Sequence, residues 1–178
     1  MVFKEIYDTD VPACSEVIRK AFTTVALQFG ITRENFPYDD GMFMTSEALA
    51  SEKQQPGKAM YALHLNGQII GFVTITDKGN SIFGIGHLAV LPEYRRLGYG
   101  KALLNFAKAK IVQAGGTKIM IGIIEENAVL KAWYEQYGFI STGADIFPDL
   151  PFTVGYMELD LITQTGFCKR KIYFGGQI

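Results

Sequence analysis

The amino-acid sequence predicts an α/β fold with a mixed, mostly antiparallel central sheet and flanking helices. Three observations support this fold class. Two strand-like runs flank Asn66-Gly67, which is the strongest short signal for a β-hairpin. After Pro92 the spacing of apolar residues changes from the period of a strand to that of a helix. A continuous apolar run at residues 117–124 then follows that helix, as expected for a buried strand reached by a crossover.

The chain length sets the number of domains. Its 178 residues correspond to about one ordinary domain, and a hydrophobic content of 48% is enough to build a sizeable core. We expect a single domain over residues 1–161. Residues 162–178 form an extension that either adds an edge strand or contacts a second copy, so a homodimer is possible.

The first third of the chain predicts a strand, a helix and a polar connection. Residues 2–7 alternate apolar and polar side chains, which indicates a strand. A helix with Pro12 in its first turn then runs from about residue 10 into the twenties. Residues 30–57 are mostly polar, contain a short helix near residues 45–53, and can form part of a substrate rim.

The remaining elements follow in order. Strands are expected at 59–65, 68–76 and 81–91, at 117–124, and at 138–143 and 152–161, with helices after Pro92 and at 127–137. Gly84 and Gly86 permit a β-bulge in the third strand of the front half. The helix after Pro92 ends at Gly115-Gly116.

Charge is distributed unevenly along the chain. Lys and Arg number 17 against 18 Asp and Glu, so the chain lacks the basic excess of a protein that binds nucleic acid mainly through phosphates. Residues 91–118 nevertheless carry a local charge of +5, and residues 119–166 carry −6. We therefore expect no nucleic-acid partner, but a polyanionic ligand beside the basic segment.

The sequence also bears on location and on metal binding. The first ten residues lack a signal-peptide pattern, and no run approaches the ~20 apolar residues that span a bilayer. We expect a cytoplasmic protein with no membrane partner. Cys14 and Cys168 lie near opposite ends of the chain without CxxC spacing, so neither a disulfide nor a metal site is expected.

A glycine-rich segment at a strand-to-helix junction is the main candidate binding motif. It contains Arg95, Arg96, Gly98, Gly100 and Lys101. Glycines allow a tight turn with several N–H groups pointing inward, and the helix start adds the positive end of its dipole. Together these features suit a pyrophosphate.

Two better-known glycine motifs do not fit. A P-loop requires Ser or Thr after its Gly-Lys pair, whereas Ala102 follows Gly100-Lys101. Residues 84–89 match a loose dinucleotide fingerprint, but they continue into more strand and Pro92 rather than opening a helix. Nucleotide hydrolysis and a dinucleotide site are therefore not expected.

Two blocks of the chain share the order and separation of a family signature. The first is Arg95-Arg96-Leu97-Gly98-Tyr99-Gly100, and the second is Asn127 followed by Tyr134-Glu135 and Gly138-Phe139. In these residues the chain resembles the GNAT superfamily of N-acetyltransferases. The resemblance covers residues 60–143 best, and Leu130 replaces a small residue of the family pattern.

The resemblance implies acetyl-CoA as the donor co-substrate, without a metal. The backbone of two strand residues would bond the pantetheine arm, and the loop amides would hold the pyrophosphate. In this family the two central strands splay apart, and a bulge near residues 84–87 would be the cause here. The implied cofactor-binding residues are Leu88, Ala89, Val90, Arg95, Arg96, Leu97, Gly98, Tyr99, Gly100, Lys101 and Asn127.

The resemblance also implies direct attack of a primary amine on the thioester. Tyr134 would protonate the leaving thiolate as a general acid. The base stays open between His87, on the cofactor strand, and Glu125 or Glu126 at the end of the next one. A rival function is a regulatory module that binds acyl-CoA with little catalysis.

The acceptor is the least defined partner. The acidic segment at residues 119–166, together with Asp39 and Asp40, would suit a cationic amine. Both a small-molecule amine and an amine of a peptide or protein fit this expectation.

Overall fold

Seven strands form one sheet in the computed structural model, which describes residues 1–161. The strands are β1 (Val2–Glu5), β2 (Lys58–Leu65), β3 (Gln68–Asp77), β4 (Ile82–Val90), β5 (Lys118–Ile124), β6 (Ile140–Ile146) and β7 (Thr153–Asp160). The α-helices are α1 (Val11–Phe29), α2 (Ser46–Lys53), α3 (Tyr99–Gln113) and α4 (Ala128–Glu135). The predicted extension, Cys168 and the proposed dimer contact lie outside the described residues.

The strand order is β1-β2-β3-β4-β5-β7-β6. Among the described strands, β4 and β5 are the parallel pair, and the other neighbours are antiparallel. The helix α3 joins β4 to β5, because parallel neighbours need a crossover connection. The predicted mixed, mostly antiparallel sheet with flanking helices is confirmed.

Local sequence signals account for most element ends. Asn66 and Gly67 both have positive φ, at 51° and 84°, as a tight hairpin turn between β2 and β3 requires. Helix α4 is shorter than predicted. Asn127 is its N-cap rather than its first residue, and Gly138, with φ 88°, follows the end of the helix.

Helices cover both faces of the sheet at β3 and β4. A side chain at Gly71 of β3 would run into Leu103 of α3. The next residue, Phe72, faces the opposite way and contacts the ring of His87, which also contacts Phe22 of α1. Because successive strand residues alternate between faces, α3 and α1 enclose the sheet from opposite sides.

Gly116 lies where the end of α3 packs closely on β4. A larger residue at this position tests that packing. An added Cβ would lie 2.7 Å from Cδ2 of Phe83 and would also overlap the side chain of Ile111. We expect Gly116→Ala to lower the free energy of unfolding by ~1–3 kcal/mol in urea titrations, the cost of overpacking a core.

Gly122→Ala is the matched control, because its Cβ would meet Val154 at 3.8 Å, an ordinary contact. This substitution should change the free energy of unfolding by less than ~0.5 kcal/mol. Equal losses in both variants would contradict the packing derived for Gly116.

Candidate active site

The central feature of the site is the separation of β4 from β5. The two strands pair at three positions, from Ile82 with Lys118 to Gly84 with Met120. Beyond that point β4 pairs with β3, while β5 continues along β7. The sheet therefore opens between its two parallel strands, as predicted.

A β-bulge lies on the open part of β4. Phe72 pairs with Ala89 and Thr74 pairs with Gly86, so His87 and Leu88 together oppose the single residue Val73. An extra residue bends a strand and increases its local twist. The predicted bulge is confirmed, and His87 adopts a positive φ of 46° within it.

Beyond the bulge, the edge of β4 that faces the gap has no strand partner, although the Val90 carbonyl on it accepts a hydrogen bond from Arg95. The amide of Leu91 donates to the carbonyl of Ile70 on β3, at 2.9 Å. Because peptide groups alternate in direction along a strand, those of Val90 and Leu88 are directed away from β3. The predicted residues thus provide strand-like hydrogen-bonding groups, and Ala89 lies buried between them.

The loop before α3 presents a second set of unpaired groups. Within residues 1–161, none of the six backbone amides from Arg96 to Lys101 donates to a protein acceptor. Arg96 and Gly98 have positive φ values of 62° and 87°, which turn successive amides toward one side. The helix dipole and the exposed Arg96 and Lys101 add positive charge. These features are complementary to an anion of pyrophosphate type.

Arg95 has a different environment from its neighbours in the motif. Its guanidinium donates to the carbonyl of Ala21 at 2.6 Å and to the hydroxyl of Thr24 at 2.8 Å, both on α1. It also donates to the carbonyl of Val90 at 3.3 Å. The side chain thus fastens α1 to the end of β4 and is engaged in the scaffold rather than directed at the anion site.

The second sequence block lies beside the first. A Cβ on Gly100 would meet the Trp133 ring at 3.7 Å, so α4 lies next to the start of α3. Asn127 is buried, and its side chain accepts a hydrogen bond from the amide of Leu130 at 3.1 Å. Asn127 therefore orders the start of α4.

Tyr134 has a buried ring on α4. The ring packs against Trp133 and Phe139, with centroids 4.9 and 5.3 Å away. Burial raises the pKa of its phenol, so the group stays protonated at neutral pH. Within residues 1–161 its hydroxyl makes no hydrogen bond.

The two glutamates that follow β5 have structural partners. Glu125 forms an ion pair with Lys131 of α4, although its Oε2 atom is buried without a partner. Glu126 accepts a hydrogen bond from the amide of Thr153 at 3.1 Å, which fastens it to the start of β7. Both carboxylates therefore contribute to joining β5 to its neighbours.

His87 lies in a cluster of charged side chains. Its Nε2 is 2.7 Å from Asp40 Oδ1, and its Nδ1 is 3.4 Å from the Thr74 hydroxyl and 3.7 Å from Glu52 Oε2. Glu52 also pairs with Lys58 of β2. Burial alone lowers the pKa of His87, but the hydrogen bond and charge of Asp40 and the charge of Glu52 raise it overall.

The connection between α1 and α2 extends across the open end of the gap. Asp40 contacts β4 through His87, whereas Tyr38 donates to Asp149 in the connection between β6 and β7. The rings of Phe36 and Phe152 lie 6.1 Å apart at the same place. Residues 36–40 thus contact both β4 and the connection between β6 and β7.

Sequence reasoning missed part of this cluster. Asp40 was noted as an acidic residue, but nothing in the sequence indicated Glu52, Lys58 or Thr74 as neighbours of His87. Three elements bring them there: α2, β2 and β3. The one available signal was the predicted bulge, because bulges redirect side chains at active sites.

Three further features of residues 1–161 concern the Cys14 thiol, metal ligands and membrane-spanning helices. Burial, with the charge of Asp10, raises the pKa of the Cys14 thiol to about 12, so it is a poor nucleophile. Within residues 1–161, no group of three or more His, Cys, Asp or Glu side chains is arranged so that it could hold a metal ion. In that same part of the chain, no helix is both long enough and apolar enough to cross a membrane.

Solved structures share this fold. The ribosomal-protein-S18-alanine N-acetyltransferase of Escherichia coli aligns with a TM-score of 0.70 and 21% identity, over 97% of this chain and 99% of that chain. The PaiA N-acetyltransferase of Thermoplasma acidophilum, solved with coenzyme A, aligns with a TM-score of 0.68 and 18% identity, over 90% and 99%.

Sequence comparison gives the family directly. An uncharacterized N-acetyltransferase from the pepI 3' region of Lactobacillus delbrueckii subsp. lactis is 23% identical over 154 residues, which cover 80% of this chain and 86% of that protein. The sequence model of the acetyltransferase (GNAT) family matches residues 26–139. Since that match spans well over half of the chain, the chain belongs to the GNAT acetyltransferase family.

Proposed function

We propose that this protein transfers an acetyl group from acetyl-CoA to a primary amine. One observation carries the proposal: the unpaired edge of β4 leads directly into the six unpaired amides at the start of α3. An extended arm that contains amides and ends in a pyrophosphate complements both features. Membership of an acetyltransferase family supports the same donor.

The donor contacts follow from this arrangement. Leu88 and Val90 would bond the amide arm through their peptide groups, with Ala89 between them. The amides of residues 96–101 would hold the pyrophosphate, and the Arg96 and Lys101 side chains would add charge. Arg95 and Asn127 would act indirectly, because one fixes the loop to α1 and the other orders α4.

The transfer requires two proton movements. The amine nitrogen forms a bond to the acetyl carbon, and the bond from that carbon to sulfur breaks. Tyr134 gives its proton to the thiolate, a role that suits a phenol that stays protonated at neutral pH. The proton that the amine loses goes to the neutral form of His87, the base that the bulge places on the open part of β4.

The direct test is a thiol-release assay with acetyl-CoA and a panel of primary amines, preceded by calorimetric measurement of acetyl-CoA binding. We expect binding, together with thiol release that depends on the amine. Binding without turnover of any amine would favour the rival function, a regulatory acyl-CoA-binding module. Absence of acetyl-CoA binding would overturn the proposal.

Tyr134→Phe tests the general acid. Removing the hydroxyl should lower kcat by about a hundredfold or more, the usual contribution of a positioned acid. The affinity for acetyl-CoA and the thermal stability should change little, because this hydroxyl makes no hydrogen bond within residues 1–161. Tyr137→Phe is the control, since the Tyr137 ring also packs on Trp133, at 4.8 Å. Comparable kcat values for the two variants would remove Tyr134 from the mechanism.

A double substitution tests the anion site. Arg96→Ala with Lys101→Ala removes two positive charges beside the loop amides, so the dissociation constant for coenzyme A should rise about tenfold or more. The difference in affinity for coenzyme A between the native chain and the double variant should be smaller at high salt, because salt already screens these charges. Lys4→Ala with Lys20→Ala removes the same charge from β1 and α1. If this control weakened coenzyme A binding equally, the effect would arise from net charge and not from the position of the charges beside the loop.

A further inference from the structure

The two carboxylate oxygens of Asp40 have different environments. Oδ1 accepts hydrogen bonds from Nε2 of His87 at 2.7 Å and from the amide of Gly41 at 2.6 Å. Within residues 1–161, Oδ2 has no hydrogen-bond partner. The Asp40 side chain is 54% exposed, whereas that of His87 is 14% exposed. The exposed Asp40 side chain therefore keeps one oxygen without a partner in this part of the chain and holds the other against the largely buried imidazole.

Both ring nitrogens of His87 are already occupied. Nε2 bonds Asp40, and Nδ1 faces the Thr74 hydroxyl and the Glu52 carboxylate. Charged groups reach the ring from three elements: Asp40 from the connection before α2, Glu52 from α2 and Lys58 from β2. From α1 the ring meets the uncharged Phe22. Asp40 is thus the exposed charged side chain that bonds directly to the largely buried imidazole.

We propose that Asp40 is the acceptor-binding residue, whose Oδ2 holds the ammonium group of a cationic amine and whose Oδ1 links it to His87. The inference rests on the function proposed above and narrows its acceptor to amines that bind as cations. In the neutral tautomer of His87 that keeps its proton on Nδ1, toward Thr74 and Glu52, Nε2 is free to accept. Asp40 takes one ammonium proton and delivers one to this Nε2, which leaves a neutral amine as the nucleophile. The imidazolium and carboxylate charges then offset each other.

Asp40→Asn tests this role. The amide oxygen of Asn can still accept from Gly41, but the charge that binds ammonium is lost. We expect the KM for cationic amines to rise about tenfold or more, the usual loss for a hydrogen bond to a charged group. The KM for acetyl-CoA should stay nearly constant, because the donor residues are separate.

Asp39→Asn is the matched comparison. It removes the same charge from the adjacent residue, whose carboxylate pairs with Arg33 rather than with His87. Its effect measures how much one negative charge in this region contributes without a contact to His87, and we expect a much smaller rise in the amine KM. Asp40→Glu keeps the charge and should recover part of the affinity lost in Asp40→Asn. This comparison still tests the inference if Asp40→Asn weakens folding.

The pH profile of kcat/KM gives a second readout. Because Asp40 and Glu52 raise the pKa of His87 above its ordinary 6.5, activity should increase with pH through a value above 6.5. Without the Asp40 charge that pKa falls, so in Asp40→Asn the acid limb should move to lower pH. A purely structural role would leave the limb in place.

The results distinguish failure of the Asp40 role from failure of the proposed function. If Asp40→Asn matches Asp39→Asn in both the amine KM and the acid limb while the native chain is active, the Asp40 role is wrong and the proposed function stands. If the native chain binds acetyl-CoA but acetylates no amine, the proposed function fails, and the acceptor role of Asp40 fails with it.

Discussion

The site depends on one constraint, the divergence of two parallel strands. β4 and β5 pair at three positions and then separate, which leaves peptide groups on their facing edges without a strand partner. Beyond Gly84 and Met120, β4 bonds β3 along one edge while its other edge faces the gap. The bulge at His87 and Leu88 bends the strand at that place. Unpaired backbone groups favour a ligand that completes the strand, because each group otherwise lacks a fixed partner.

Fixed scaffold contacts support the unpaired groups. The guanidinium of Arg95 donates hydrogen bonds to α1 and to the end of β4, and these bonds anchor the start of the loop that follows. Asn127 caps α4, and Trp133 brings that helix against the start of α3. Side chains that looked like ligand contacts in the sequence therefore position the backbone that would bind the ligand. Preorganisation of this kind lowers the entropy cost of binding.

The near-neutral composition conceals a separation of charge between two sides of one cleft. The amides and cations before α3 suit a polyanion, while the carboxylates of Asp40 and Glu52 lie on either side of the His87 ring. Burial alone would favour a neutral imidazole, and the two carboxylates outweigh it. The contact between Asp40 and His87 also fastens the connection before α2 onto β4.

The sequence by itself determined the order of elements, the hairpin at Asn66-Gly67, the bulge, and the loop from Arg96 to Lys101. These features follow from local backbone preferences and hydrophobic periodicity, which neighbouring residues carry. Only the tertiary structure decided that Arg95 points to α1 and that Asp40, Glu52 and Lys58 surround His87. Those contacts join residues far apart in the chain, and their geometry depends on how helices pack on a twisted sheet. No local pattern encodes that packing.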